Sequence, residues 1–527
     1  MWISTPHIPV DYRGPTTRTF TPFGDPAGAP AILTRLEEVC RRRGGEIAVD
    51  DGRTATSFER LHEGVARLAS TLARERSVAP VAVLLPPALH YVLAVFASLA
   101  AARPALLLDA THPAPRNRSI IDAAGATQQI CLEPLDGCDL GIIDPRSACL
   151  PDASGNLSSA LISAVLQLDA PAFILATSGS TGQPKLIAHS QRTMLHWLRS
   201  MHDGMHLNST DQVLSLSSCA SLGGFAALLA VPLAGATLRL LDLRERGIGG
   251  LLTALAGGSI TILRAAPSLL RGLAALPEAR EAFASLRIVQ TYGEALLMSD
   301  VRALREVLPA DCRIRSTYGS TEASGMTWYA HPSDAHDSYL APAGALMPDT
   351  QAAILSDEGT PCEPGEAGEL VIRSRYNALG EWRDGALSAG NLEPDAEDPE
   401  VRIFRSGDLA RCGRDGVFVV MGRKDRMLNV NGQRVEPAEV EAAIRRAGCA
   451  EVEVLPVRQR GASAMMAFIG AGSAEPAALE SRLRAQLRRD VPPYMVPARF
   501  VMLNALPRLP GGKVDLPALY ELAGNAP

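Results

Sequence analysis

Directly after an apolar run at 173–176, the chain places Thr177, Ser178, Gly179, Ser180, Thr181, Gly182, Gln183, Pro184 and Lys185 in succession. Small and hydroxylated residues leave backbone N–H groups open to close approach, so such a segment can surround a polyanion with backbone and hydroxyl donors. Lys185 adds a point charge. The spacing is not that of the common P-loop, whose Gly-Lys-Ser/Thr end opens a helix, because Pro184 precedes the lysine. A dinucleotide-binding Gly-x-Gly-x-x-Gly fingerprint is absent as well. The chemistry indicated is phosphate binding at the end of a strand.

A loop of this kind needs a rigid support, and the apolar patterning supplies one. Short β-prone runs at 81–85, 105–108, 172–176, 212–216, 237–241, 260–263 and 286–290 alternate with helical segments, which predicts covered sheets of α/β type. Leu61, Val65, Leu68 and Leu72 fall about a helical turn apart, as do Val301, Leu304 and Leu308, so 61–74 and 301–308 read as core-facing helices. After Asp349, Gly359, Pro361, Pro364, Gly365 and Gly368 break the chain into turns before the strand-like 369–373, which reads as a β-rich lobe. A boundary is expected at Asp425. Beyond it, strand signals at 452–457 and 464–469 and helices at 438–447 and 477–487 describe a compact cap. The expected organisation is a large N-terminal domain, 1–425, of α/β layers plus the lobe, and a small mobile α+β C-terminal domain, 426–527.

Bulk properties narrow the partners. The 527 residues carry a formal net charge of -6, which gives neither nucleic acid nor an anionic membrane an attractive surface overall. The nine cysteines, spread from Cys40 to Cys449, have neither zinc-site spacing nor the density of a disulfide scaffold, so a cytoplasmic location is expected. Pro6, His7, Pro9 and Asp11 break any signal-peptide pattern, and Pro86, Pro87, His90, Arg103 and Pro104 interrupt the longest apolar stretch, so no membrane span is expected.

Five further motifs follow the loop in order: Tyr292-Gly293-Glu294-Ala295-Leu296, Tyr318-Gly319-Ser320-Thr321-Glu322, Arg405-Ser406-Gly407-Asp408, Gly422-Arg423-Lys424-Asp425 through Gly432-Gln433-Arg434-Val435-Glu436, and Gly511-Gly512-Lys513-Val514-Asp515. From about Ala29 to Leu519 the chain resembles the adenylate-forming superfamily, which includes acyl-CoA synthetases, luciferases and the adenylation domains of nonribosomal peptide synthetases. The resemblance implies ATP and Mg²⁺ as cofactors and a carboxylic acid as substrate. It implies that Tyr318 stacks on adenine, that Gly293, Glu294 and Ala295 line the adenine pocket through their backbone, and that Gly319 belongs to the same nucleotide site. By the same resemblance Thr321 bonds the α-phosphate, Glu322 ligates Mg²⁺ and Asp408 accepts both ribose hydroxyls. Arg423 is then near the ribose and phosphates, Asp425 is the hinge and Lys513 bridges the substrate carboxylate and the α-phosphate. A flat aromatic face suits a purine, a carboxylate suits a hard cation, and a cation offsets the charge that builds up during in-line attack.

The chain also departs from the pattern. Members that activate α-amino acids usually carry Phe-Asp where this chain has Ser221-Leu222, and no acid occurs from Val213 to Leu241. An ammonium would therefore lose water without gaining a partner, and the expected substrate lacks an α-ammonium. Gly223, Gly224 and Ala226 are expected to leave space on one wall, with Leu222, Gln290, Tyr292, Thr317, Gly325 and Met326 as the remaining lining. Tyr292 stands where many members have glycine, so it either shortens the pocket or presents a phenol. Asn429 and its neighbours are similar to short-chain acyl-CoA synthetases, whereas Leu107-Leu108-Asp109 with Pro113 and Arg116 is similar to the peptide-synthetase branch. His189 reads as structural. With little sequence after Lys513, the expected acceptor is the phosphopantetheine of a separate carrier protein, with CoA as the alternative. A non-catalytic nucleotide-binding protein ranks last, because Glu322, Asp408 and Lys513 are all retained.

Overall fold

The computed structural model describes residues 2–3, 9–15, 20–24, 28, 31–75, 77–135, 137–138, 140–149, 167–177, 184–331, 340–383, 385–424, 428–430, 433–435, 437–459, 462–472, 475–491, 495–509 and 514–523. It divides into two compact units. The first takes Met1–Ala353, Val371–Arg405 and Asp415–Phe418, and the second Ile354–Leu370, Ser406–Arg414 and Val419–Pro527. The boundary expected at Asp425 falls outside the described residues.

Two large sheets organise the first unit. Its strands in chain order are β1 (Ile47–Asp50), β2 (Ala55–Ser57), β3 (Val81–Leu85), β4 (Ala105–Asp109), β5 (Gln128–Cys131), β6 (Gly141–Ile143), β7 (Pro171–Thr177), β8 (Lys185–Ser190), β9 (Gln212–Ser215), β10 (Thr237–Leu240), β11 (Ile262–Ala265), β12 (Ile288–Tyr292), β13 (Arg313–Gly319), β14 (Ser324–Tyr329) and β15 (Ala345–Leu346). One sheet runs β15-β14-β13-β12-β11-β9-β10-β1-β2. The other runs from Ala386–Ser388 and Gly380–Arg383 through β8-β7-β4-β3-β5-β6. The expected α/β class is borne out. Parallel neighbours such as β3 with β4 and β11 with β12 require crossover connections, which the intervening helices provide.

Both sheets are covered because their strands are apolar on both faces. In β3 every residue except Leu84 is buried, and the helix Leu89–Ala100 is buried at all positions but His90. A helix apolar all round belongs between layers. The helix Phe58–Leu72 instead shows one apolar stripe, with Leu61, Val65, Leu68 and Leu72 buried and the Ser57 hydroxyl accepting from the Arg60 N–H at its start. These elements join the helices Ile32–Arg43 and Leu222–Leu233 in the main core. A second core gathers β11, β12 and the helix Met298–Val307 around Leu263, Val289, Val301 and Leu304.

In the second unit, the hairpin Leu428–Val430 with Gln433–Val435 and the strands Val452–Gln459, Ala462–Gly470 and Arg499–Leu503 form two small sheets. Val440 and Ile444 of the helix Pro437–Arg446 and Leu483 and Leu487 of the helix Pro476–Asp490 pack with Val452, Val454, Ala467 and Ile469 into a core of their own.

Candidate active site

The expected phosphate loop is the connection of a β-hairpin: β7 and β8 run antiparallel with Thr177 opposite Lys185. Residues 178–183, which include Ser178, Gly179, Ser180, Thr181 and Gly182, lie outside the described residues. At the hairpin's mouth the Thr177 hydroxyl donates to the Lys185 carbonyl at 3.5 Å. The Lys185 ammonium stands 3.3 Å from the Glu381 carboxylate. Glu381 is delivered by the strand Gly380–Arg383, which pairs with β8.

Thr321 and Glu322 come to the same place from the other sheet. They follow β13 in a tight turn in which Ser320 N–H donates to the Ala323 carbonyl and the Ala323 N–H to the Ser320 hydroxyl. Two contacts pin this turn to the β8 side: Ala378 N–H donates to the Glu322 carbonyl at 2.8 Å, and the His189 Nε2 lies 2.9 Å from the Thr321 carbonyl. Burial pushes the Glu322 carboxyl above its usual range, against the lowering effects of its own N–H, the Ser320 hydroxyl and the Lys185 charge. Burial likewise lowers His189 to about 4, so its ring is neutral at pH 7 and donates through Nε2 to the carbonyl. His189 is structural, as expected, and its work is to hold Thr321.

The nucleotide-site candidates lie close by. Tyr318 sits on β13 opposite Met326 of β14. Gly325 lets the two strands approach, since a Cβ there would lie 2.3 Å from the Tyr318 carbonyl oxygen. Gly293 turns the chain out of β12 with a φ of 82°, a conformation glycine adopts freely. The Glu294 side chain has a separate role, accepting from the N–H and hydroxyl of Ser268 at 3.1 Å each, at the start of the helix Pro267–Ala274.

Within the second unit, the Arg423 guanidinium donates to the Ser406 carbonyl at 2.6 Å and to the Asp408 carboxylate at 3.3 Å. The Ser406 hydroxyl donates to the Leu370 carbonyl and accepts from the Asp408 N–H. Gly407, at φ 68°, makes the turn. Asp425 and Lys513 lie outside the described residues.

The acid pocket corrects the sequence reading at one wall. Gly223 and Gly224 do not leave space. A Cβ on Gly223 would lie 2.3 Å from the Tyr292 ring, and one on Gly224 2.1 Å from the Ser218 carbonyl oxygen. The glycines are there because the phenol ring and a backbone turn fill the volume. Leu222 opens the helix Leu222–Leu233, with Ser221 as its cap, and Ala226 is buried. Gln290, Tyr292 and Thr317 share one sheet face, with Gln290 Nε2 donating to the Thr317 hydroxyl at 3.0 Å. Met326 is fully buried and pairs with Tyr318 while Thr317 pairs with Thr327, so strand alternation puts it on the other face.

Sequence reasoning missed Arg264. It lies in β11 opposite both Ser215 and Gln290, so it shares their face. It is 3% exposed and donates to Gln290 Oε1 at 2.8 Å, the Gly223 carbonyl at 2.9 Å and the Ser215 hydroxyl at 3.4 Å. Its guanidinium lies 4.7 Å from the centre of the Tyr292 ring. The signal for it was present, an arginine inside an otherwise apolar strand.

Comparison with known proteins agrees with this geometry. The family described as AMP-binding enzyme matches residues 36–382. The chain belongs to the AMP-binding enzymes. It is 32% identical over 90% of its length to the probable non-canonical nonribosomal peptide synthetase CymA of Salinispora arenicola (strain CNS-205), of which it spans only 6%. Its fold matches Klebsiella oxytoca NpsA in complex with 3-hydroxyanthranilyl-AMSN at a TM-score of 0.77 and 20% identity, covering 94% of this chain and 99% of that one. It matches the anthranilate CoA ligase AuaEII in complex with anthranoyl-AMP at 0.79 and 19%, covering 95% and 99%. Its similarity thus extends in sequence to a nonribosomal peptide synthetase and in fold to an acyl-CoA ligase.

The residues of this AMP-binding enzyme suit a magnesium nucleotide. Among the described residues no group of three or more His, Cys, Asp and Glu side chains forms a metal cage. Mg²⁺ needs none, since it takes one or two carboxylates and completes its octahedron with phosphate oxygens and water. Glu322 fits that role: its burial disfavours its charge, and a divalent cation would restore it. Among the described residues no helix is long and apolar enough to cross a membrane.

Proposed function

We propose that the chain uses ATP and Mg²⁺ to convert a carboxylic acid lacking an α-ammonium into its acyl-adenylate, then passes the acyl group to the phosphopantetheine thiol of a separate carrier protein. The observation that carries this reading is the convergence of the partly buried Glu322 with Lys185 and Glu381 at the mouth of the loop hairpin. In the first step a carboxylate oxygen bonds to the α-phosphorus and the α–β phosphoanhydride breaks, releasing pyrophosphate. Glu322 would hold Mg²⁺, which supplies charge neutralisation on the phosphates. Thr321, fixed through its carbonyl by His189, would bond the α-phosphate, with Tyr318 under the adenine and Asp408 on the ribose. Lys513 would bridge the two reacting groups. A hinge at Asp425 between domains 1–425 and 426–527 would then let the thiol in, whose sulfur bonds to the acyl carbon as the acyl–phosphate bond breaks and AMP leaves. The cell compartment that fits is the cytoplasm.

CoA as acceptor is the second reading, favoured by the likeness in fold to the anthranilate CoA ligase AuaEII. Acid-dependent exchange of pyrophosphate into ATP over a panel of carboxylic acids, with hydroxylamine capture of the adenylate, tests the first step. Exchange with no acid in the panel would sink the enzymatic reading. Thioester formation on CoA against a phosphopantetheinylated carrier then separates the two acceptors. Lys513→Ala is expected to depress exchange about 100-fold with ATP binding retained, and unchanged exchange would remove its assigned role.

A further inference from the structure

Arg264 presents a charge that the described protein does not answer. Of its five N–H donors, the one on Nε and the two on Nη1 go to Gln290, Gly223 and Ser215, all neutral acceptors. Among the described residues Nη2 has no hydrogen-bond partner, and no carboxylate stands within ion-pair distance. Beside it the Tyr292 hydroxyl is buried and also lacks a partner among the described residues. Phenol and guanidinium are held together by the ring contact and by Gly223, on which both rest.

A second guanidinium deepens the excess. Arg315 of β13 is fully buried and stands opposite Gln290 on the far side from Arg264. Its Nη2 donates to the Ser200 carbonyl at 3.0 Å, and it too lacks a carboxylate partner among the described residues. Burial pushes both guanidiniums down, and the Arg264 charge adds to the lowering at Arg315. What sets Arg264 apart is that its unpaired Nη2 stands beside the unpaired Tyr292 hydroxyl, in the wall proposed to receive the acid.

Building on the function proposed above, we propose that the acid activated by this enzyme carries a second carboxylate, received by Arg264 Nη2 and the Tyr292 hydroxyl. The planar fork of a guanidinium matches a carboxylate, and a phenol adds a third donor to the same oxygens. The same charge excludes an α-ammonium by repulsion, which explains the missing acid at Leu222 more fully than the absence of a partner does. A neutral acid would leave the guanidinium desolvated and unpaired, so discrimination should be large.

The test is pyrophosphate exchange with aliphatic and aryl diacids, each against its own half-amide, which keeps shape and removes the second charge. At least one diacid is expected to exceed its half-amide by 100-fold or more in kcat/KM, chiefly through KM. Tyr292→Phe, which removes only one oxygen, is expected to lower that ratio about tenfold, and Arg264→Met to bring it close to one. If Arg264→Met fails to fold, as thermal melting would reveal, the Tyr292→Phe ratio still decides. Half-amides or simple monoacids activated as well as every diacid would overturn the second-carboxylate proposal while leaving the adenylation reading intact. Exchange with no acid of any kind would instead remove the adenylation reading and this proposal with it. Loss of all exchange in Arg264→Met with monoacids as the good substrates would assign Arg264 to the reacting carboxylate, and would also overturn the proposal.

Discussion

At the scale of single residues, the setting of Glu322 disfavours its charge, which suits the cation-binding role proposed for it. Burial raises its pKa, while Lys185 and the Ser320 hydroxyl pull the other way. Replacing it by glutamine keeps the shape and removes the charge. Glu322→Gln is therefore expected to reduce acid-dependent exchange about 100-fold, equivalent to about 2.7 kcal/mol of barrier, and to raise the Mg²⁺ concentration needed for half-maximal rate. A variant with the parent's Mg²⁺ dependence would show that the carboxylate holds no metal. The motif around Glu322 was legible in the sequence, because its residue types are used for their own chemistry. Arg264 was not: the apolar run from Ile260 ended, on hydropathy, at Leu263, whereas the strand continues to Ala265 with the guanidinium buried inside it. Hydropathy treats an arginine as a boundary, and only the register with Ser215 and Gln290 shows that it points inward.

At the scale of elements, the sequence was most informative where a run is bounded by backbone chemistry. Proline on either side, at 80 and 86, delimits β3 as read, because Pro lacks an N–H and restricts the residue before it. The strand expected at 286–290 instead spans Ile288–Tyr292. Leu286 is buried in the preceding turn and bonds there to Phe283, so an apolar side chain alone did not mark a strand. The β13–β14 pair was not foreseen, since polar residues and glycine interrupt the apolar pattern of both strands, although β14 is buried throughout and Ile314 and Trp328 join the second core. That pair depends on Gly325, whose missing Cβ lets Tyr318 lie where it does. Gly325→Ala would press a methyl group on the Tyr318 backbone, and overpacking of this kind costs about 1–3 kcal/mol. The expected outcome is a lower melting temperature together with weaker ATP binding by titration calorimetry. A variant equal to the parent in both would remove the strand contact from the account of the nucleotide site.

At the scale of the whole molecule, acid stability follows from two histidines buried beside the site. His189 and His196 are each lowered from 6.5 to about 4, His189 by burial against the Thr321 bond and His196 by burial against its bond to the Pro348 carbonyl. Asp349 and Arg199 act on His196 in opposite senses. Since the folded rings resist protonation, the unfolded chain binds more protons between pH 6.5 and pH 4, and stability must rise with pH across that window. It is fully present above pH 6.5 and is lost progressively toward pH 4, by on the order of 3 kcal/mol for each ring. Glu322, whose folded pKa is raised, works in the opposite sense and regains part of the loss near its own titration. The depressed carboxylates, such as Asp109, where hydrogen bonds from Ser218 and Thr111 outweigh burial, add their losses only below pH 4. Urea unfolding from pH 7.5 to pH 4.5 should thus show midpoints falling mainly below pH 6.5, and His196→Gln should flatten that slope relative to the parent. A parent midpoint that stays level from pH 6.5 to pH 4.5 would return the acid sensitivity to the carboxylates and remove the histidines from it.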